Sequence, residues 1–188
     1  MKMLINGEKV DSESGSTIPI YNPSTHELLD SVPSATQNDL EKALESAQLG
    51  KRLWGTTTVL KRVEILENIS KQIEIEKVEL ATLLAKEAGK IYLQAMAEVE
   101  HAITLFREYA YRLRYHYGSI LPADEDAIFV RHEPLGVVAC IIPFNFPIEL
   151  YAHKVAPALA AGNAVIIKPA SDAPLSNIYI SDLIKSKK

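Results

Sequence analysis

Apolar residues fall into three successive rhythms along the chain. The first is short and strand-like: "MLINGEKV" sets Asn6-Gly7 between two brief apolar runs. That dipeptide favours a two-residue hairpin, because both positions tolerate a positive φ. "IPIYNPSTHELLDSVP" follows, and its Pro, Ser and Asn predict extended chain broken by turns. The second rhythm is helical. Leu40, Ala43, Leu44 and Ala47 recur at helical spacing after a Ser/Thr/Asp-type start, and Gly50 is expected to close that helix. Leu66, Ile69 and Ile73 predict another, and Leu80, Leu83 and Leu84 carry its pattern on to Gly89. The clearest stripe is Val99, Ile103, Phe106, Ala110, Leu113 and Tyr117, in steps of four and three. It is short for a coiled coil and is expected to pack against a sheet or a subunit.

The third rhythm begins after Gly118. "SILPADEDAIFVRHEP" reads as loop and strand around Ile128, Phe129 and Val130. "GVVACII" and "NAVIIK" are unbroken apolar runs of the kind buried in parallel sheets. Between them "PIELYAHKVAPALAAG" predicts a helix with Pro147 in its first turn and Gly162 past its end. "APLSNIYISDLIKSKK" predicts a last helix with proline near its start and lysines in its final turn. Strand, helix, strand and helix in that order open a doubly wound α/β unit.

Composition narrows the class of protein without identifying it. At 188 residues the chain has the length of one domain, or one domain plus an appendage. Its net charge of −4 offers no basic footprint, so no nucleic-acid partner is expected. No stretch reaches the length of a membrane span, so no membrane partner is expected either. The N-terminus lacks the apolar core of a secretory signal. One cysteine permits neither an internal disulfide nor a cysteine-cluster metal site. The expected compartment is the cytoplasm.

Two loops carry candidate chemistry. Ligands of open α/β sheets bind outside the carboxyl ends of the strands, where "PFNFP" follows one strand and Lys168-Pro169-Ala170-Ser171 the other. Asn145 stays neutral at every working pH, so its amide could stabilise a developing oxyanion without competing for the proton. Its place two residues before Pro147 suits helix capping equally well, and spacing leaves both roles open. Cys140 lies inside the apolar run between Ala139 and Ile141, the setting of an inert core thiol. Other signals fail in context. There is no G-x-G-x-x-G; "AVIIK" lacks the glycine-rich loop of a kinase; His132-Glu133 is followed by Pro-Leu; the Asn68-Ile69-Ser70 sequon lies in a helical stretch. The five histidines show no metal-ligand spacing, and His26 and His116 read as surface residues.

"PFNFP" and "AGNAVIIKPAS", together with "INGEKV", "YNPSTHELLDSVP", "AKEAGKIYLQAMAEVE" and "FVRHEPLGVV", resemble the NAD(P)-dependent aldehyde dehydrogenase superfamily along the whole chain. Phenylalanine in the box, where tryptophan is usual, resembles the branch acting on lactaldehyde, glyceraldehyde and similar small hydroxyaldehydes. The resemblance implies an α/β fold: N-terminal helices plus the first strands of a doubly wound, Rossmann-like parallel sheet. Residues 1–134 would hold the N-terminal strands, the helical segment and an oligomerisation strand. Residues 135–188 would begin the cofactor-binding unit.

By the same resemblance Asn145 would be the oxyanion-hole amide. Ile142 and Phe144 would border the nicotinamide-ribose side of the cofactor, and Lys168 would reach the adenosine ribose. Ser171 stands where many NAD-preferring members carry glutamate, which implies acceptance of NADP as well as NAD. Glu149, Leu150 and His153 would line the aldehyde entrance, with Lys154 a structural partner near Asn145. The family's G-Q-x-C thiol segment and E-L-G-G base segment do not occur in these residues. The chain alone is therefore expected to be inactive, as the N-terminal part of an enzyme whose small aldehyde substrate is oxidised with NAD(P). The alternative is a non-catalytic piece that binds nucleotide weakly, or associates with a missing C-terminal half or with copies of itself, because a sheet cut after its early strands exposes an edge.

Overall fold

Asn6 and Gly7 take the positive φ values their type of turn requires, 51° and 76°. They join β1 (Met3–Ile5) to β2 (Glu8–Val10), antiparallel with Met3 opposite Val10. The computed structural model describes residues 1–115, 118–122 and 126–185. β3 (Thr17–Tyr21) and β4 (Leu28–Pro33) form a second antiparallel ribbon, which confirms extended chain in the Pro/Ser/Asn-rich stretch.

Helix α1 (Gln37–Gly55) starts at a reciprocal cap. The Asp39 amide donates to Thr36 Oγ1 at 3.2 Å, and the Thr36 amide donates to the Asp39 carboxylate at 2.9 Å. Ser12 Oγ donates to the same carboxylate at 3.0 Å, tying the N-terminal ribbon to the helix. Gly50 does not end this helix. A mid-helix glycine costs only about 1 kcal/mol against alanine, and the turns beyond it have an anchor, with the Trp54 indole donating to the Leu159 carbonyl at 2.8 Å.

The long run expected from Leu66 to Gly89 is two helices, α2 (Val59–Ile75) and α3 (Lys77–Ala88), broken at Glu76. Leu66, Ile69, Ile73, Leu80 and Leu84 share the main core, whereas Leu83 turns to a second cluster with Ile20, Val32 and Leu175. At Glu76 the backbone leaves helical geometry (φ −94°, ψ 8°), so the helix is interrupted there although the apolar spacing continues. Gly89 ends α3 in the left-handed region at φ 66°, and a Cβ there would lie 2.8 Å from Pro23 Cγ.

Helix α4 (Tyr92–Leu113) buries Val99, Ile103, Phe106, Ala110 and Leu113; Tyr117 falls outside the described residues. The described residues of the stripe pack on helices of this chain, α2, α3 and α5 (Pro147–Ala160), rather than on a sheet. α5 lies between α4 and the sheet, so helices receive the described part of the stripe. β5 (Gly118–Pro122) and β6 (Ala127–Arg131) pair antiparallel as an exposed hairpin.

β7 (Val137–Ile141) and β8 (Ala164–Lys168) pair in parallel from Val137 opposite Ala164 to Ile141 opposite Lys168. With α5 between them and α6 (Leu175–Lys185) after them, they form the expected strand–helix–strand–helix unit. Among the described residues no helix is long and apolar enough to cross a membrane.

The Asp39 carboxylate sits among donors, first the Thr36 amide, and its pKa falls from 3.8 to about 2. A folded value below the unfolded one gives stability that is present above pH 3.8 and is lost as pH falls through about 2. Thermal melts across that window are expected to show Asp39→Asn less stable than wild type near neutrality, with a shallower acid decline. Parallel declines would contradict the assignment.

Candidate active-site crevice at the strand ends

Register brings the two loops together. Ile141 pairs with Lys168 at the last rung, and the Ile142 amide donates to the Lys168 carbonyl at 3.0 Å. The box at residues 143–147 and the segment at 168–171 therefore leave the same end of the sheet side by side. Ile142 is buried beneath them, while Phe144, Asn145, Lys168 and Ser171 are exposed. Neither Lys168 nor Ser171 has an ion-pair or side-chain hydrogen-bond partner among the described residues.

The start of α5 decides one of the two roles open to Asn145. The residue before the helix is Phe146, and no side chain of the loop caps it. The free amides are taken from another helix instead: Ile148 N–H and Glu149 N–H donate to Glu98 Oε1 at 2.8 and 3.2 Å. Glu98 projects from α4 with a side chain 1% exposed, paired with Lys90. Lys90 Nζ in turn lies 4.0 Å from the centroid of the Phe146 ring. Asn177 of α6 donates from Nδ2 to the Pro147 carbonyl at 3.1 Å. The Asn145 amide is thus free of capping duty and open to the crevice.

The start of α6 is closed in the same way. Leu175 N–H and Ser176 N–H donate to the two Glu87 oxygens at 2.7 and 2.9 Å. Burial pushes the Glu87 carboxyl above its ordinary pKa, and the Ser176 hydrogen bonds oppose that rise. Helix N-termini at strand ends are the usual seats of a dinucleotide's phosphates. Here protein carboxylates already occupy both.

The sequence reading missed Glu87, Lys90, Glu98 and Asn177. Glu98 had left a signal: it stands between Ala95 and Ala102 on the buried face of α4, where a carboxylate needs donors.

A groove of about 500 Å3 runs between α4 and α5, lined by Lys90, Gln94, His101, Thr104, Phe146 and Glu149 among others. Glu149 is half-buried, with His101 Nδ1 at 3.3 Å and His153 Nε2 at 3.7 Å. Leu150 is half-buried beside it. Cys140 is buried in β7, and burial raises its thiol pKa against the smaller pull of Lys154; this is an inert setting. Lys154 is exposed on α5. Among the described residues no His, Cys, Asp or Glu group is arranged to hold a metal ion.

The sequence and fold are similar to those of known proteins. The model of the aldehyde dehydrogenase family matches residues 9–187, and the chain belongs to that family. Lactaldehyde dehydrogenase of Methanocaldococcus jannaschii is 38% identical over 98% of this chain and 39% of its own length. D-glyceraldehyde dehydrogenase (NADP(+)) of Picrophilus torridus is 42% identical over 94% of this chain and 36% of its own. The crystal structure of an aldehyde dehydrogenase from Brucella melitensis biovar abortus 2308 superposes with a TM-score of 0.95 at 30% identity, over 98% of this chain and 39% of that one. The chain thus spans well under half the length of these relatives, and its fold is the N-terminal part of theirs.

Removing Glu87 strands two buried amides. Glu87→Ala is expected to lower the unfolding free energy by about 2 kcal/mol or more, read from urea midpoints. Because the folded pKa is raised, the ionised carboxylate is disfavoured as pH rises through that value. Glu87→Gln keeps an acceptor for one of the two amides, so it should lose less than Glu87→Ala near neutrality. Equal losses for the two variants would contradict the capping role.

Proposed function

We propose that the chain supplies the oxyanion and cofactor side of an NAD(P)-dependent aldehyde dehydrogenase that oxidises a small aldehyde to its acid. The observation that carries this reading is the exposed, uncapped Asn145 amide beside Lys168 at the paired strand ends. When a thiolate adds to the aldehyde carbon, the carbonyl oxygen becomes an oxyanion. Asn145 Nδ2 donates to that oxygen, and one such donor lowers the barrier by about 3 kcal/mol. The thiolate comes from a segment outside these residues, because Cys140 is buried in β7.

Lys168 and Ser171 hold the adenosine ribose, with Ile142 and Phe144 bordering the nicotinamide-ribose side. The bound nicotinamide supplies the acceptor for the hydride. Closure of both helix ends by Glu87 and Glu98 supports a cofactor held through its ribose at this part of the crevice. Ser171 leaves no negative charge beside Lys168, so a 2′-phosphate is accepted and NADP is used as well as NAD. The substrate class is small hydroxyaldehydes, which enter along the groove bordered by Glu149 with Leu150 and His153 beside it. Gln94, His101 and Thr104 along the groove offer hydrogen-bond partners to a substrate hydroxyl, which supports that class. The compartment proposed is the cytoplasm, where a free thiol such as Cys140 stays reduced.

The division proposed is residues 1–134 for the strands and helical segment and 135–188 for the cofactor unit. A second reading, a non-catalytic piece that associates with other subunits or with the rest of such an enzyme, is favoured by the exposed β5–β6 hairpin. Phe129 there is 77% exposed and Ile120 68%, as an oligomerisation strand would be when unpartnered.

The test of the first reading is kinetics on the polypeptide that joins this chain to thiol- and glutamate-bearing segments. Asn145→Ala is expected to lower kcat about 10²-fold or more with little change in KM. Ser171→Glu is expected to shift the NADP/NAD ratio of kcat/KM about tenfold or more towards NAD. Wild-type turnover by Asn145→Ala would overturn the reading. Concentration-dependent association of the 188-residue chain that is abolished by Phe129→Asp would support the second.

A further inference from the structure

We propose that Glu98 and Lys90 are positioning residues for the Asn145 amide. They act on it through the first turn of α5 and the Phe146 ring and touch no reacting atom. The inference rests on the role of Asn145 proposed above, and the experiment below separates the two.

Residues 143–146 have little of their own to fix their shape. Among the described residues, the hydrogen bond they make is from the Leu150 amide to the Phe146 carbonyl, at 3.0 Å. Their conformation is therefore set from the flanks. Upstream, the Ile142 amide is fastened to the Lys168 carbonyl. Downstream, Asn177 holds the Pro147 carbonyl, and Glu98 Oε1 holds the Ile148 and Glu149 amides. The Lys90 ammonium lies against the face of Phe146, the residue next to Asn145.

Glu98 links two of these contacts, the start of α5 and the lysine over Phe146. Both backbone donors it accepts are in the first turn of α5, and its cationic partner is the lysine that holds Phe146. A buried ion pair of this kind is a poor stabiliser, since an apolar pair of similar volume is often as good. What the pair does supply is direction. It fixes where α5 begins, and so where a side chain two residues upstream of Pro147 points. A donor displaced by about 1 Å from its reacting oxygen can cost on the order of 10²-fold in rate.

The test combines NMR hydrogen exchange on the 188-residue chain with kinetics on the polypeptide that also carries the thiol and glutamate segments. Glu98→Ala is expected to speed amide exchange at Ile148 and Glu149 about tenfold or more. It should also shift and broaden the Asn145 side-chain amide signals, while Leu66 and Ile69 exchange as in wild type. In the kinetics, Glu98→Ala is expected to lower kcat about tenfold or more with the NAD(P) KM nearly unchanged. Glu98→Gln, which keeps an acceptor for the two amides, should restore most of both readouts. Lys90→Met leaves the two backbone bonds in place and should lower kcat by a smaller factor; it keeps the test open if Glu98→Ala does not fold.

Wild-type kcat in Glu98→Ala and Lys90→Met, beside a slow Asn145→Ala, would overturn the inference and leave the reading of Asn145 standing. So would a loss spread over kcat and both KM values with no rescue by Glu98→Gln, which marks a structural role only. Wild-type turnover in Asn145→Ala overturns the reading and this inference together.

Discussion

A helix end pointing into a crevice must find partners for its first amides, and here two carboxylates from neighbouring helices provide them. Glu87 of α3 closes α6 and Glu98 of α4 closes α5. The same junction that ends α3 at Gly89 places Lys90 against Glu98. The helical half is thereby fastened to the strand–helix–strand–helix half by directed bonds as well as by the core shared between α2, α4 and α5. A hydrophobic interface alone tolerates sliding. A carboxylate that accepts two backbone amides fixes both the origin and the axis of the helix it closes.

The crevice follows from that constraint. With α5 and α6 anchored, the loops leaving β7 and β8 are held between fixed points, and parallel register sets Lys168 beside the box. The side chains that remain unspent are Asn145, Lys168 and Ser171, all exposed at one end of the sheet. Occupied helix ends also remove the ordinary seat for phosphate.

Much of the fold was legible because its cues are local. Asn6-Gly7, the Ser/Thr/Asp-type start of α1, Pro147 at the first turn of α5 and Gly89 after α3 each act within a few residues. The misreadings were tertiary. Gly50 predicts a helix end because a glycine weakens a helix, but Trp54 holds the next turn to a residue far along the chain. The apolar spacing from Leu66 to Leu84 barely changes and so predicts one helix, yet the backbone leaves helical geometry at Glu76. The role of Asn145 stayed open between cap and oxyanion donor because spacing cannot show what else reaches a helix end. The residue that closes the helix in place of Asn145, Glu98, lies 47 positions before it.

The most direct test is a crystal structure of the polypeptide that carries this chain and the remaining segments of the fold, with NADP bound. Glu98 Oε1 is expected within hydrogen-bond distance of the Ile148 and Glu149 amides, and Glu87 likewise on Leu175 and Ser176. The Asn145 amide should be open to the crevice and the cofactor phosphates clear of both helix ends. A phosphate seated on the first turn of α5 or α6, with its glutamate swung away, would contradict the account.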